Sequence, residues 1–312
     1  MKISMWKLKL VPAETKINFI RFRSIGLTLS AILMLVSLGL FFGRGLNFGI
    51  DFKGGILIEI ATEEAVDIAD LRNRLDRLEL GEVQIQQFGS PTDILIRVAE
   101  TQNAETTEQD LSAVDKIRAE LTDVKEFRRV EIVGPQISSE LIYKGVLAVV
   151  SAVGLMLIYI WLRFEWQFSA GAVLALIHDV ILTIGIFSFL QLEFGLPIIA
   201  ALLTIIGYSM NDTVVVYDRV RENLRKYKKM PLPELFNMSI NSTLSRTVMT
   251  SLTTLLALFS LYILGGEVIR GFTFAMIWGV FIGTYSSIFI AGPLLLYLGV
   301  KRDWSKTAKS AL

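Results

Sequence analysis

The stretch FGLPIIAALLTIIGYSMNDTVVVYDRVREN, residues 194–223, decides the fold. Up to Tyr217 it is long and apolar enough to cross a hydrocarbon core of about 30 Å as one helix, and beyond Tyr217 it turns abruptly to charge. Asn211 and Asp212 interrupt the apolar run. An ionised carboxylate at such depth costs on the order of 3 kcal/mol on insertion scales, so intramembrane acids usually face a bundle interior and mark a pathway or relay. Asp212 is read in that way. The competing reading is a helix whose last turn has already emerged, because Asp212 precedes Tyr217 by only about 8 Å at 1.5 Å per residue. Val214, Val215 and Val216 weigh for the buried reading, since an emerging helix end would stay polar.

The rest of the chain asks for the same solvent. Of 312 residues, 53% are hydrophobic and 20% charged, with the charges bunched and the apolar residues in blocks, a membrane-protein composition. Five further blocks, at 24–43, 145–162, 168–190, 247–264 and 271–300, bring the expected transmembrane helices to six. Gly292-Pro293 is expected to kink the last near its end. The first block outruns the about 7–15 apolar residues of a signal peptide and no small-residue cleavage site follows, so it is read as an anchor.

Basic side chains set the orientation. Lys2, Lys7, Lys9, Lys16, Arg21 and Arg23 face one acid, Glu14, before the first span. The loop after the fourth span carries Arg219, Arg221, Arg225, Lys226, Lys228, Lys229 and Arg246, and the tail Lys301, Arg302, Lys306 and Lys309. The opposite short loops hold Arg270 alone. The chain therefore divides into a basic cytoplasmic N-terminus (1–23), a first helix (24–43), a periplasmic domain (44–144), helices two to six (145–300) and a cytoplasmic tail (301–312), with both termini cytoplasmic.

Residues 44–144 hold 20 acidic against 12 basic side chains, so the whole-chain charge of +1 hides two oppositely charged faces. Their periodicity alternates between 2 and 3.6. GILIEIA (55–61), EVQIQQF (82–88), DILIRVA (93–99) and EFRRVEIV (126–133) read as strands, with a turn at GSPT. Residues 65–79 stripe Leu71, Leu75 and Leu78, and residues 104–121 stripe Leu111, Val114, Ile117 and Leu121, as two helices. The order β-α-β-β-α-β predicts a small α+β ferredoxin-like domain with both helices on one face of a four-stranded sheet. That fold names no function.

Several chemistries are set aside. The chain has no cysteine and one histidine, which removes disulfides, cysteine nucleophiles and an ordinary zinc site. No phosphate-binding loop or dinucleotide fingerprint is present, so neither cofactor nor metal is expected, nor any nucleic-acid partner, and a lipid bilayer is the certain surrounding. The intramembrane polar residues remain. Arg246 opens the fifth span at a depth near that of Asp212 and is expected to pair with it. Burial favours a neutral acid and a guanidinium a charged one, so their separation could switch a proton on and off; a static ion pair or a positive-inside anchor is the alternative. His178 and Asp179 lie nearer mid-membrane, about 100° apart on a helix, and need not touch each other. They serve either a relay or interhelical hydrogen bonds. Gly39-x-x-x-Gly43 and Gly279-x-x-x-Gly283 permit close helix approach.

FGIDFKGG (48–55), RFEWQFSAGAVLALIHDV (163–180), GYSMNDTVVVYDRVREN (207–223) and NSTLSRT (241–247) resemble the SecD/SecF family of protein-export membrane proteins, of the resistance-nodulation-division superfamily. The resemblance implies half of such a transporter, in the plasma (inner) membrane of a bacterium. It implies a heterodimer with a SecD subunit in a twelve-helix assembly beside the SecYEG channel, aiding preproteins after the ATPase SecA has pushed them; YajC and YidC are further partners it leaves open. It implies use of the proton-motive force, with protons as the coupling ion. The family's proton-pathway aspartate falls on Asp212 and its arginine on Arg246, with Asn211, His178 and Asp179 beside them. Its GIDFKGG element falls on Gly49, Ile50, Asp51, Phe52, Lys53, Gly54 and Gly55, which also reads as a glycine-rich hinge with positive φ angles. Asp218, Arg219, Arg221, Glu222 and Asn223 complete its motif at the end of the fourth span. Three other readings stay beside this one: a proton-coupled small-molecule exporter half, an assembly subunit without coupling of its own, and an intramembrane protease using Asp179 and Asp212. The last lacks the GxGD signature, the sequence reading SMND.

Overall fold

The structure is a computed structural model that describes residues 15–81, 83–98 and 107–301. The basic residues before Thr15 and after Lys301 lie outside the described residues.

Six long apolar helices are present: α1 (Arg23–Arg44, preceded by a 3-10 turn at Phe19–Phe22), α5 (Pro135–Arg163), α6 (Trp166–Leu190), α7 (Leu196–Lys226), α8 (Leu232–Leu264) and α9 (Arg270–Ser286). Between α1 and α5 lie β1 (Asn47–Phe48), α2 (Ile50–Lys53), β2 (Gly55–Ala61), α3 (Ile68–Asp76), β3 (Val83–Phe88), β4 (Ser90–Val98), α4 (Thr107–Glu120) and β5 (Glu126–Val133). A short β6 (Glu193–Phe194) joins α6 to α7.

Several helix ends differ from the sequence reading for physical reasons. α5 starts at Pro135, where proline suits the first helical turn, ten residues before the apolar block that predicts a start at Gly145; the amphipathic PQISSELIYK lead-in is helical too, so the outer region ends earlier than residue 144. α8 starts at Leu232, well before Thr247, because the polar LPELFNMSINSTLSR segment packs rather than spans. Just before Gly292-Pro293 the last span widens into a π-helical turn over Ser287–Ala291, after which α10 (Gly292–Tyr297) continues. Proline lacks an N–H and crowds the carbonyl four residues back, and a wider turn relieves both.

α6, α7 and α9 form the interior. Their apolar windows are 56%, 50% and 61% buried, against 17%, 11% and 11% for α1, α5 and α8. α1 shows the inverted pattern a bilayer demands: Ser30 and Ser37 are buried while Ile25, Leu29, Leu35 and Phe42 face outward. Small residues let backbones meet. Gly185 lies against Ser37 of α1 so closely that a Cβ would collide with it, and Gly279 lies likewise against Ile205 of α7. A Cβ added at Gly39 or Gly43 would meet nothing within 4 Å among the described residues.

The outer sheet is antiparallel in the order β3-β4-β2-β5, the ferredoxin-like arrangement. Ile56, Ile58, Ile60, Ile94 and Ile96 meet Leu71, Leu75, Val114, Ile117 and Leu121 in one core. Two details differ from the sequence reading. Leu111 is exposed rather than on the buried stripe, and α3 is shorter than 65–79, with Leu78 in the turn beyond it. The GSPT turn is tighter than read: β4 begins at Ser90, paired with Phe88 around Gly89 at φ 85°. Arg74 clamps Asp123 (2.8 Å) and Glu120 (3.2 Å), joining α3 to the end of α4 and holding the Asp123 carboxyl below the usual range.

Gly185→Ala is expected to destabilise the bundle by about 1–3 kcal/mol, the usual cost of overpacking, because the Ser37 backbone has to move. Gly39→Ala, with open space around it, should change stability by less than about 0.5 kcal/mol. Helix loss followed by circular dichroism during titration of mixed micelles with dodecyl sulfate checks both.

Candidate functional site

The helix that opened the sequence reading is α7, and Asp212 sits on its buried face at 4% exposure. Oδ1 receives a long 3.5 Å hydrogen bond from Thr247 Oγ1 of α8. Oδ2 is buried with no partner among the described residues. Leaving a buried polar atom without a hydrogen bond costs about 1–3 kcal/mol.

The expected Asp212–Arg246 pair is not closed. Arg246 precedes Thr247, yet its side chain is exposed and no nitrogen–oxygen contact within 4.0 Å joins it to Asp212. The reason is helical: consecutive residues of α8 point about 100° apart, so the face that offers Thr247 to Asp212 turns Arg246 outward. Asn211 is exposed too. With Thr204 and Gly207 it makes a small and polar stripe on α7, and Ser242, Arg246 and Thr253 make another on α8. The stripes are tied at the end far from the outer domain, where Arg219 Nε donates to Ser242 Oγ at 3.0 Å.

His178 and Asp179 touch, which their angular separation left open. Their rings of contact are closed inside the core at 1% exposure each, Nδ1 and Oδ1 lying 2.9 Å apart. Asp179 Oδ2 accepts from Ser209 Oγ of α7 (2.6 Å) and Ser286 Oγ of α9 (2.8 Å). One carboxyl thus ties the three inner helices together. Tyr285 stacks obliquely beside His178 at 6.2 Å and donates to Gly26 O of α1 at 3.0 Å, which draws the fourth helix in. Ser209 lies one turn before Asp212 on α7, so the Asp179 knot and Asp212 share a helix segment of about 4.5 Å.

Sequence reasoning missed Ser209, Ser286 and Thr247. The available signal was a hydroxyl one turn before an intramembrane acid on the same helix, and for Thr247 its place beside an arginine already singled out.

The remaining motif residues act as fasteners away from Asp212. Asp218 pairs with Arg163 at 3.4 Å, Arg219 with Glu222 at 2.6 Å, Arg221 donates to Arg163 O at 3.3 Å, and Asn223 donates to Ser239 Oγ at 2.9 Å. Nearby, burial pushes the Glu165 carboxyl up while Arg221 and Arg225 draw it back. Asn237 and Asn241 of α8 hold the incoming chain in the same region: Asn237 Oδ1 accepts from Ile20 N and Asn241 Oδ1 from Ile17 N, each at 2.9 Å.

At the opposite end, the glycine-rich element is a turn with three distinct requirements. Gly54 (φ 75°) and Gly55 (φ 116°) occupy backbone conformations that a side chain would strain. Gly49 has φ −71°, so the hinge reading fails there; what it needs is room, since a Cβ would lie 2.7 Å from Glu193 Oε1. Asp51 Oδ2 accepts from Leu196 N at 2.8 Å, capping the first turn of α7.

Ser209→Ala and Ser286→Ala should each cost about 1–3 kcal/mol, and together more than the sum, because only the double variant leaves Asp179 Oδ2 without a donor. The same dodecyl sulfate titration, run as a double-mutant cycle, measures this.

Comparison with known proteins fits this geometry. Residues 113–301 match the family described as protein export membrane protein SecD/SecF, C-terminal, and residues 39–66 the SecD/SecF GG motif. The protein translocase subunit SecF of Rhodobacter capsulatus is 47% identical, with 96% of this chain and 94% of that one covered. That of Rickettsia rickettsii is 44% identical, with 97% and 98% covered. The crystal structure of SecDF from Thermus thermophilus, a translocon-associated membrane protein, superposes with a TM-score of 0.82 at 38% identity over 92% of this chain. SecDF in a super-membrane-facing form gives 0.67 at 36% identity over 96%. This chain spans 39% and 40% of the length of those two SecDF chains.

Proposed function

The chain belongs to the SecD/SecF family, and from that premise we propose that it is the SecF-type half of a proton-driven translocase. In this reading it pairs with a SecD-type half in the bacterial inner membrane, beside the SecYEG channel. Both termini and the basic loops are cytoplasmic, and the α/β domain projects into the periplasm, where preproteins emerge after SecA has acted. The relatives' names carry the translocation role; Asp212 carries the coupling. Its unpaired Oδ2, at 4% exposure inside an apolar span, is the observation on which the proposal rests.

The exposed stripes of α7 and α8 support a second membrane half. A charged guanidinium and an amide facing hydrocarbon are costly, and a partner's polar groups would relieve that cost. The SecDF relatives, with more than twice this chain's length, have room for such a half in one polypeptide. Arg246 then faces the interface one residue from the Asp212 ligand Thr247. A proton on Asp212 removes the charge that Arg246 feels, and the two helices re-seat.

The test is preprotein translocation into inverted membrane vesicles with and without a proton gradient, at equal levels of assembled complex. Asp212→Asn, which keeps size and one acceptor oxygen, is expected to keep the gradient-independent rate and to lose the gradient-dependent increment. Asp212→Glu, which keeps the titratable group, should retain part of it. An unaltered increment in Asp212→Asn overturns proton coupling at this residue and leaves an assembly role. Uptake of a dye or drug in place of preprotein would favour the exporter reading.

A further inference from the structure

The outer domain is planted on the membrane bundle by the sheet face that carries no helices. Leu57 of β2 and Leu95 of β4 pack on Ile50 of α2. In the same register row as Leu57, Arg97 of β4 reaches down and pairs through Nη2 with Glu193 in the α6–α7 connection. The connection is itself stitched to the chain leaving α1: Asn47 and Phe48 pair in parallel with Glu193 and Phe194, and Gly49 N donates to Phe194 O at 3.0 Å. Asp51 then caps Leu196, the first residue of α7. The ties through Arg97, Asn47, Phe48, Gly49 and Asp51 all end within three residues of the start of the helix that carries Asp212.

We infer that Arg97 and Glu193, together with Asp51, form a latch that transmits displacement of α7 to the outer domain. They are positioning residues for the proposed translocation cycle, and the inference rests on the proton-coupled reading above. Three features suit a latch better than a permanent weld. Arg97 uses one nitrogen on Glu193, while its buried Nε has no partner among the described residues, so the pair lacks the two-pronged grip of a strong guanidinium–carboxylate contact. Glu193 remains 39% exposed although Arg97 is only 13% exposed, so the outer solution reaches one member of the pair. A cavity of about 90 Å³ beside the pair, lined by Lys53, Gly54, Gln84 and Arg97, gives the guanidinium somewhere to go.

The charges around Glu193 are mixed. Burial pushes its carboxyl above the usual range, and so do Asp51 on α2 and Glu131 on β5, while Arg97 on β4 and Arg129 on β5 pull it down. A group balanced in this way responds to small movements of its neighbours.

A charge swap tests the latch. In vesicles holding the complex with its SecD-type partner, Arg97→Glu and Glu193→Arg should each cut the gradient-dependent increment by roughly tenfold with the gradient-independent rate kept, and the double variant should restore it. A second readout does not depend on transport. The chain has no cysteine, so spin labels at Asp70→Cys on α3 and Val268→Cys in the connection to α9 are unique. Their distance distribution should be narrow in the parent, broad in each single variant and narrow again in the double. Unchanged distances and increments in the single variants overturn the latch, and so does loss in the singles that the double does not repair. If Asp212→Asn keeps its increment, the proton reading falls, and the label distances alone still decide whether the pair holds the domain.

Discussion

A polar atom inside a bilayer has to find its partner within the protein, and the interior of this bundle is organised around the place where that demand is heaviest. Asp179 is fully enclosed, and its two oxygens are spent on His178, Ser209 and Ser286. The donors come from α6, α7 and α9, so one carboxyl fixes the mutual height and rotation of the three most buried helices. For several hydroxyls the demand is met locally: Thr183, Thr204, Thr273 and Thr284 return theirs to carbonyls one turn back on their own helices. Asp212 Oδ2, like His178 Nε2, Tyr208 OH and Trp278 Nε1, is buried without a partner among the described residues. Asp212 lies one turn from the knot, on a helix whose position the knot determines, and is the carboxyl that keeps an oxygen in reserve.

The outer ring follows from the same solvent. α1, α5 and α8 bury little and turn Leu, Ile and Phe outward, which lipid accepts without cost. The stripes through Asn211 and Arg246 break that pattern. They run along the helices that flank Asp212, so the part of the surface least suited to lipid adjoins the least satisfied carboxyl. Solvation of the stripes and occupation of Asp212 Oδ2 are therefore two aspects of one missing interface in the proposed assembly.

How much of this the sequence disclosed depended on whether the information was local. The spans were legible because hydrocarbon thickness converts directly into run length, and the strands GILIEIA and EFRRVEIV were legible from alternation, ending at the residues read for them. The start of α8 was not, because an amphipathic helix that packs beside polar chain has no apolar run to announce it. The contact of His178 with Asp179 stayed open for a different reason: angular separation on a helix concerns Cβ directions, and two side chains with free χ angles can still converge above the backbone. The openness of Asp212 toward Arg246 was illegible because depth in the membrane was known and rotation about the helix axis was not. The role of Asp51 could not be read at all, since the first turn of α7 lies 145 residues away in the chain.

That long-range contact makes α7 a lever. It runs from Leu196 to Lys226, about 46 Å at 1.5 Å per residue, with Asp51 at one end, Asp212 about 24 Å further on, and the Asp218–Arg163 and Asn223–Ser239 fasteners at the other. A rigid helix passes a small rotation or slide at its middle to both ends undiminished, provided the ends are held. On the basic side the fasteners join α7 to α5 and α8, so motion there is resisted. On the domain side the polar attachments are a two-residue strand pair, a one-pronged ion pair and a capping carboxylate, set around a hydrophobic junction in which Phe52 and Phe194 pack with Ile198 and Leu202 of α7. The domain itself is held by thirteen buried isoleucine, leucine and valine side chains shared between sheet and helices. In the proposed cycle, displacement of α7 would reach the domain through that junction and be carried by the domain as a body, which is the arrangement the proposed machine needs if a proton bound in the membrane is to do work outside it.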